Sequence, residues 1–124
     1  MDELNRIMET LLGENGCPWD KEQTHESLRP NMLEEAQEAA EAIDANNPVY
    51  LCEELGDVLL QVVFHAKLAE RAGTFTLDDV IRGLCDKLVR RHTHVFGADT
   101  AVSAEEAMQI WQKNKLNTKK GNFS

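Results

Sequence analysis

Residues 32–57 read M-L-E-E-A-Q-E-A-A-E-A-I-D-A-N-N-P-V-Y-L-C-E-E-L-G-D. Two runs of helix-forming residues flank Ala45-Asn46-Asn47-Pro48, and Asn-Asn-Pro suits a helix stop followed at once by a helix start. The stretch therefore predicts two antiparallel helices joined by a tight turn. Five carboxylates recur in it at helical spacing: Glu34, Glu35 and Glu38 before the turn, Glu54 and Asp57 after it. Glu38 and Glu54 lie roughly 10 and 9 Å from the turn along their axes, and Glu35 and Asp57 roughly 15 and 14 Å. The hairpin so brings four acids to two matching heights on facing helices. Such a cluster repels itself unless a cation neutralises it. Oxygen-only ligands suit a hard cation, and Mg2+ is the usual one where phosphates are handled.

The second of these helices, expected over residues 48–72, sharpens the point. Leu51, Leu55, Val58, Leu59, Leu60, Val62, Val63, Phe64 and Leu68 surround it almost completely. They leave one polar stripe of Glu54, Asp57, Gln61 and His65. A helix apolar nearly all round is a buried helix, and buried carboxylates are costly unless paired or metal-bound. That much burial in 124 residues also points to a partner subunit.

The remaining chain reads as helix throughout. Asp2 is placed to cap a first helix bearing Leu4, Ile7, Met8, Leu11 and Leu12, stopped by Gly13. Residues 13–30 are rich in breakers and are expected to form a long loop, with Pro30 in the first turn of the next helix. That helix is expected to bury Met32, Leu33, Ala36, Ala39, Ala40 and Ile43, with Glu34, Glu38 and Glu41 opposite and Glu35 at the flank. Gly73 ends the helix after it. Thr76 with Asp79, and Ser103 with Glu106, resemble capping boxes for two further helices. The first of these carries an apolar stripe through Leu77, Val80, Ile81, Leu84, Cys85, Leu88 and Val89. No strand pattern or repeat appears. The expectation is an all-α, four-to-five-helix bundle-like single domain over residues 1–124, its core about 2–116 and its tail, 117–124, flexible. Homodimerisation is expected to complete it.

Charge and cysteine content bound the function. A formal net charge of −9 opposes a general field for polymeric nucleic acid, but not a small phosphate ligand held by metal and local cations. No apolar run approaches the roughly 20 residues needed to span a membrane. The start M-D-E-L-N-R lacks a signal-peptide pattern. The three cysteines, Cys17, Cys52 and Cys85, form no C-x-x-C, and Cys52 and Cys85 read as small core residues. A reducing, cytoplasmic setting is expected.

Lys87, Arg90 and Arg91 form a second constellation. Lys87 and Arg91, four apart, share a face. Cations in a last turn also complement the helix dipole, but beside an acidic metal site they suit phosphate binding, with arginine as a planar fork. The histidines are weaker signals. His92-x-His94 lacks partners for a zinc site, His65 reads as a satisfied helix residue, and the one E-x-x-H, ending at His25, falls short of the two a di-iron bundle uses. Trp19 and Trp111 read first as core residues.

Taken together, Glu34, Glu35 and Glu38 (E-E-x-x-E) followed by Glu54 and Asp57 (E-x-x-D) resemble the metal motif of the all-α nucleoside triphosphate pyrophosphohydrolases. Within them, G-C-P-W-D-K-E-Q-T-H-E-S-L-R-P, E-E-L-G-D-V-L-L-Q-V-V-F-H-A and K-L-V-R-R-H-T-H-V-F-G are similar to MazG domains over about residues 11–97, with a weaker W-x-x-x-K match at Trp111 and Lys115. Thr93 departs from the R-R-H-P-H of many relatives. The resemblance implies Mg2+-dependent hydrolysis of ribo- or deoxynucleoside triphosphates to monophosphate and pyrophosphate, with Mn2+ as a possible substitute metal. It also implies a helical homodimer, open to higher assembly. Glu35, Glu38, Glu54 and Asp57 resemble the metal ligands, and Glu34, Glu35 and Glu38 the catalytic carboxylates. Lys87, Arg90 and Arg91 resemble the phosphate-binding group. Asn31, Glu34, Glu53, Asp57 and Trp111 are expected beside the substrate. The alternatives are a non-catalytic nucleotide-binding protein and a helical interaction module; neither a sensor nor a scaffold would cleave triphosphate.

Overall fold

A computed structural model describes the backbone of residues 1–121 and the side chains through residue 117. Seven helices make up the described chain, with no strand among them: α1 (Asp2–Leu11), α2 (Pro18–Lys21), α3 (His25–Asp44), α4 (Pro48–Arg71), α5 (Leu77–Arg91), α6 (Thr93–Phe96) and α7 (Ala104–Gly121). The five long helices are those expected from periodicity, and α2 and α6 are single turns. The chain forms two compact units, one of Met1–Leu77 and one beginning at Asp78.

The first unit is built on the α3–α4 hairpin. Asn46 takes a left-handed φ of 53°, and the Asn47 N–H returns to the Ala42 carbonyl at 3.2 Å, closing α3 as a glycine would. Asn47 then caps α4 by accepting the Tyr50 N–H at 3.1 Å, with Pro48 in the first turn. At the far end Gly73, φ 75°, ends α4. The core cluster of Met8, Leu12, Leu28, Val63 and Phe64 joins α1 and the outer halves of α3 and α4. Buried Lys67, 5% exposed, reaches from α4 to Glu9 on α1 at 2.9 Å and to Glu70 at 3.4 Å. Arg71 donates to the Leu12 carbonyl at the end of α1. Gly16 is required in the turn that follows, since a Cβ there would lie 2.0 Å from the Leu11 carbonyl oxygen.

Several expectations need correction. Asp2 is the first residue of α1 and makes no side-chain cap. The loop expected over 13–30 is shorter, because α2 interrupts it and α3 starts at His25, leaving Pro30 inside a helix. The cause is a capping box: the Thr24 hydroxyl accepts the Ser27 N–H at 3.0 Å, and the Ser27 hydroxyl accepts the Thr24 N–H at 2.8 Å. Two satisfied donors at the start outweigh one donor missing at Pro30. Thr24→Ala is expected to cost about 1 kcal/mol, read as a lowered urea midpoint at unchanged m-value.

α3 is also rotated relative to its hydrophobicity. Its buried residues are Leu28, Ala39 and Ala42, with Asn31, Glu35 and Glu38 half-buried on the same side. Leu33 and Ile43, expected inside, are 59% and 62% exposed. The small alanines let α4 approach closely, and the acids come inward with them. Burial along α4 is confined to its second half, from Gln61 to Ala69. Val49 and Leu55 in its first half are 75% and 52% exposed. Cys52 and Cys85 are exposed, Cys17 is half-buried, and all three are free thiols.

In the second unit α5 leaves Val80, Ile81, Leu84, Leu88 and Val89 exposed. Ser103 accepts the Glu106 N–H at 3.2 Å, while the Glu106 carboxylate takes the N–H of Val102 rather than that of Ser103. α7 continues to Gly121, past Leu116 where the helix was expected to fray. Residues 122–124 of the expected flexible tail lie outside the described residues.

Candidate metal and nucleotide site

The hairpin does what its spacing requires. One carboxylate oxygen from each of Glu35, Glu38 and Glu54 lies within 4.8 Å of the others. Glu38 crowds both Glu35 on its own helix and Glu54 across the interface, and its charge acts on each. Asp57 stands outside that tightest group, but its charge acts on both Glu35 and Glu54. Removal from water raises the Glu35 carboxyl above its ordinary range, and the charges of Glu38 and Asp57 raise it further. The Glu54 carboxyl is pushed up to about 7, first by removal from water, then by the close approach and charge of Glu38 and the charges of Asp57 and Glu35.

Glu35 Oε2 and Glu54 Oε2 are buried, and neither has a hydrogen-bond partner. Two donorless carboxylate oxygens from facing helices, with a third acid between them, are an oxygen-only set suited to a hard divalent cation. The residues present fit Mg2+.

On the turn side of this cluster lies an open cleft of about 460 Å3, lined by Glu38, Glu41, Tyr50, Glu53 and Glu54 among others. It brings Glu53, expected near substrate, beside the acids. Glu34 is exposed and contributes a small repulsion to Glu35. Asn31 is half-buried one turn from Glu35, on the same face of α3.

The expected phosphate-binding residues lie on α5. Lys87 is half-buried and Arg90 exposed. Arg91 is buried, its guanidinium carbon 5.6 Å from the centre of the Trp111 ring, and Lys115 Nζ is 5.0 Å from that ring. Trp111 is thus half-buried between two cations, whereas Trp19, expected in the core, is 56% exposed. Asn114 donates to the Arg91 carbonyl and to the Thr93 hydroxyl, at 3.2 and 3.0 Å, tying α7 to the end of α5. His92 Nδ1 lies 2.6 Å from the Leu88 carbonyl, which fixes its tautomer.

One pair escaped the sequence reading. His25 Nδ1 and His65 Nδ1 are 2.7 Å apart, with ring centres 5.0 Å apart and planes within 5°. The centre-to-centre distance is the hydrogen bond plus a ring radius at each end, so the rings meet edge to edge and share one proton. His65 is held below its ordinary pKa, by burial first and then by His25. The available signal was Thr24-x-x-Ser27, which puts His25 on a helix.

The family model for the MazG nucleotide pyrophosphohydrolase domain matches residues 23–96. The chain belongs to the MazG family. It is similar to a Thermotoga maritima protein named nucleoside triphosphate pyrophosphohydrolase/pyrophosphatase MazG, 53% identical over 114 residues, covering 92% of this chain and 45% of that protein. An Escherichia coli K12 nucleoside triphosphate pyrophosphohydrolase is 44% identical over 116 residues, covering 93% and 44%. Among solved structures, a mazG-related protein from Thermotoga maritima superimposes with a TM-score of 0.75 at 31% identity, over 94% of this chain and 99% of that one. The chain spans about half the length of these curated relatives. All four acids and the three α5 cations of this MazG domain fall inside the matched segment; Trp111 falls outside it.

Proposed function

We propose that this MazG domain hydrolyses nucleoside triphosphates, ribo or deoxy, to monophosphate and pyrophosphate in a Mg2+-dependent reaction, with Mn2+ able to substitute. The observation that carries the reading is the convergence of Glu35, Glu38 and Glu54 from facing helices, two of their oxygens buried without a donor. With Asp57 these residues would hold the metal. A bound divalent ion in such a site draws charge from the triphosphate and lowers the pKa of water. Glu34 is the first candidate among the site carboxylates to take a proton from the attacking water. Lys87, Arg90 and Arg91 would stabilise the charge that develops on the leaving pyrophosphate. Asn31, Glu53 and Trp111 would contact the nucleotide.

The exposed apolar positions of α3, α4 and α5 support a second copy of the chain as the cover for these faces. No helix among the described residues is long and apolar enough to cross a membrane. A cytoplasmic setting, where triphosphates and Mg2+ are abundant, fits this reading.

The test is incubation with a panel of triphosphates and Mg2+, with identification of both products. Monophosphate and pyrophosphate are expected from the wild type, with none formed in excess chelator. Asp57→Asn should lower turnover by roughly a hundredfold with helical content kept. Release of orthophosphate alone, or triphosphate bound and left intact, removes the proposal.

A further inference from the structure

The two acid pairs fix the register of the α3–α4 hairpin. Glu38 lies against Glu54 across the hairpin, and Asp57 acts on Glu35. One turn further from the hairpin bend, the same register sets Asn31 opposite Gln61. The turn after that pairs Leu28 with Phe64, and both belong to the hydrophobic cluster. Asn31 and Gln61 are therefore the polar layer next after the carboxylates, with the hydrophobic cluster and the His25–His65 pair beyond it. The groove is open at the bend.

Gln61 is anomalous in that layer. It is only 6% exposed, and its Oε1 is buried with no hydrogen-bond partner. One turn on, His65 Nε2 is also buried without a partner. A buried amide oxygen without a partner is destabilising, and leucine or methionine would fill the place without that cost. Two partnerless polar atoms on consecutive turns of one helix face make the kind of site an ordered water occupies.

We propose that Gln61 is a positioning residue of the catalytic site, its buried carbonyl holding the water that attacks phosphorus at the end of the carboxylate cluster away from the bend. The inference rests on the hydrolysis proposed above. Oε1 accepts one hydrogen of the water, which leaves the other hydrogen turned toward a site carboxylate and a lone pair turned toward the phosphorus of the triphosphate. The water oxygen forms the new bond to phosphorus as the bond to pyrophosphate breaks. Its proton passes to a site carboxylate, and the leaving group departs with the bonding electron pair. Gln61 itself neither gains nor loses a proton, so it adds no acid or base limb to the pH profile.

The sign of the stability change separates this role from a structural one. Gln61→Met keeps the volume and removes the orphaned acceptor. The expected result is kcat lowered by roughly tenfold to a hundredfold, with KM and Mn2+ affinity within about twofold of wild type. The metal-free protein should be at least as resistant to urea as wild type. Gln61→Asn, which withdraws the carbonyl by one methylene, should fall between them in kcat. Unchanged kcat in Gln61→Met, or a loss of kcat that merely follows a loss of stability, overturns the inference. The water is also to be sought directly in a high-resolution crystal structure. Gln61 Oε1 found dry, or bonded to a protein donor, overturns the inference even where hydrolysis is confirmed. Wild-type protein that binds Mn2+ and cleaves no triphosphate overturns the proposed function instead.

Discussion

Glu38→Gln is expected to lower turnover by roughly a hundredfold or more and, in the same protein, to raise the melting temperature of the metal-free form. The two effects have one origin. Glu38 is the acid between Glu35 and Glu54, within 4.8 Å of an oxygen of each, and its charge raises the pKa of both. An amide of the same shape removes one repelling charge and offers N–H donors to carboxylates that have none. The metal-free site relaxes, and the set of negative oxygens needed for a divalent cation is broken. Turnover is read by pyrophosphate release, and stability by thermal unfolding with and without Mg2+. Wild type should gain stability with Mg2+, about 2.7 kcal/mol at a hundred times the dissociation constant, and the variant little or none. A variant that loses turnover, gains nothing without metal and still responds fully to Mg2+ would show that Glu38 serves some other end.

The second large effect is on the pH dependence of the metal-free protein. Glu54 is pushed from 4.5 in its ordinary state to about 7, and Glu35 is raised as well. A carboxyl whose folded pKa exceeds its unfolded one binds its proton more tightly when folded. Its contribution to stability is full below the unfolded pKa and is lost as pH rises from about 4.5 to about 7. The metal-free protein is therefore expected to melt at a progressively lower temperature across that window. His65 has the opposite sign: its folded pKa lies below the ordinary 6.5, so its contribution is present above 6.5 and lost as pH falls through the lower folded value. The metal-free protein is thus most stable in mildly acidic solution. Mg2+ competes with the protons on Glu35 and Glu54, so its affinity should climb through about pH 7, and saturating Mg2+ should remove the alkaline decline. Melting curves over pH 5 to 8, each with chelator or Mg2+, check both limbs. A chelated protein as stable at pH 8 as at pH 5.5 would contradict the crowded-carboxylate account.

The parts of this structure legible in the sequence are those set by short-range chemistry. Asn46, Asn47 and Pro48 specify the bend, and once it is placed, counting residues outward pairs Glu38 with Glu54 and Glu35 with Asp57. What failed was the inference from hydrophobicity to facing. Met32, Leu33 and Ile43, expected inside, are exposed, whereas the buried residues of α3 are Leu28, Ala39 and Ala42, of which only Ala39 was expected. Close approach of two helices selects for small side chains, and the acids come inward with them. α4 misled in a related way: Leu55 and Leu59 read as core, but no described part of this chain covers them. The start of α3 was missed because a serine, Ser27, completes the cap where glutamate or glutamine was sought. The His25–His65 bond could not be read from either residue alone, since forty positions separate them.

The placement of the hydrophobic cluster has a consequence for how this domain can change over time. Met8, Leu12, Leu28, Val63 and Phe64 grip the hairpin at its outer end, together with the Lys67–Glu9 pair, while the acids and the cleft beside Tyr50 and Glu53 occupy the end with the bend. Foundation and workshop share the same two rods but not the same residues. Substitutions around the cleft can therefore accumulate, and reshape what it admits, with little debt to the integrity of the whole.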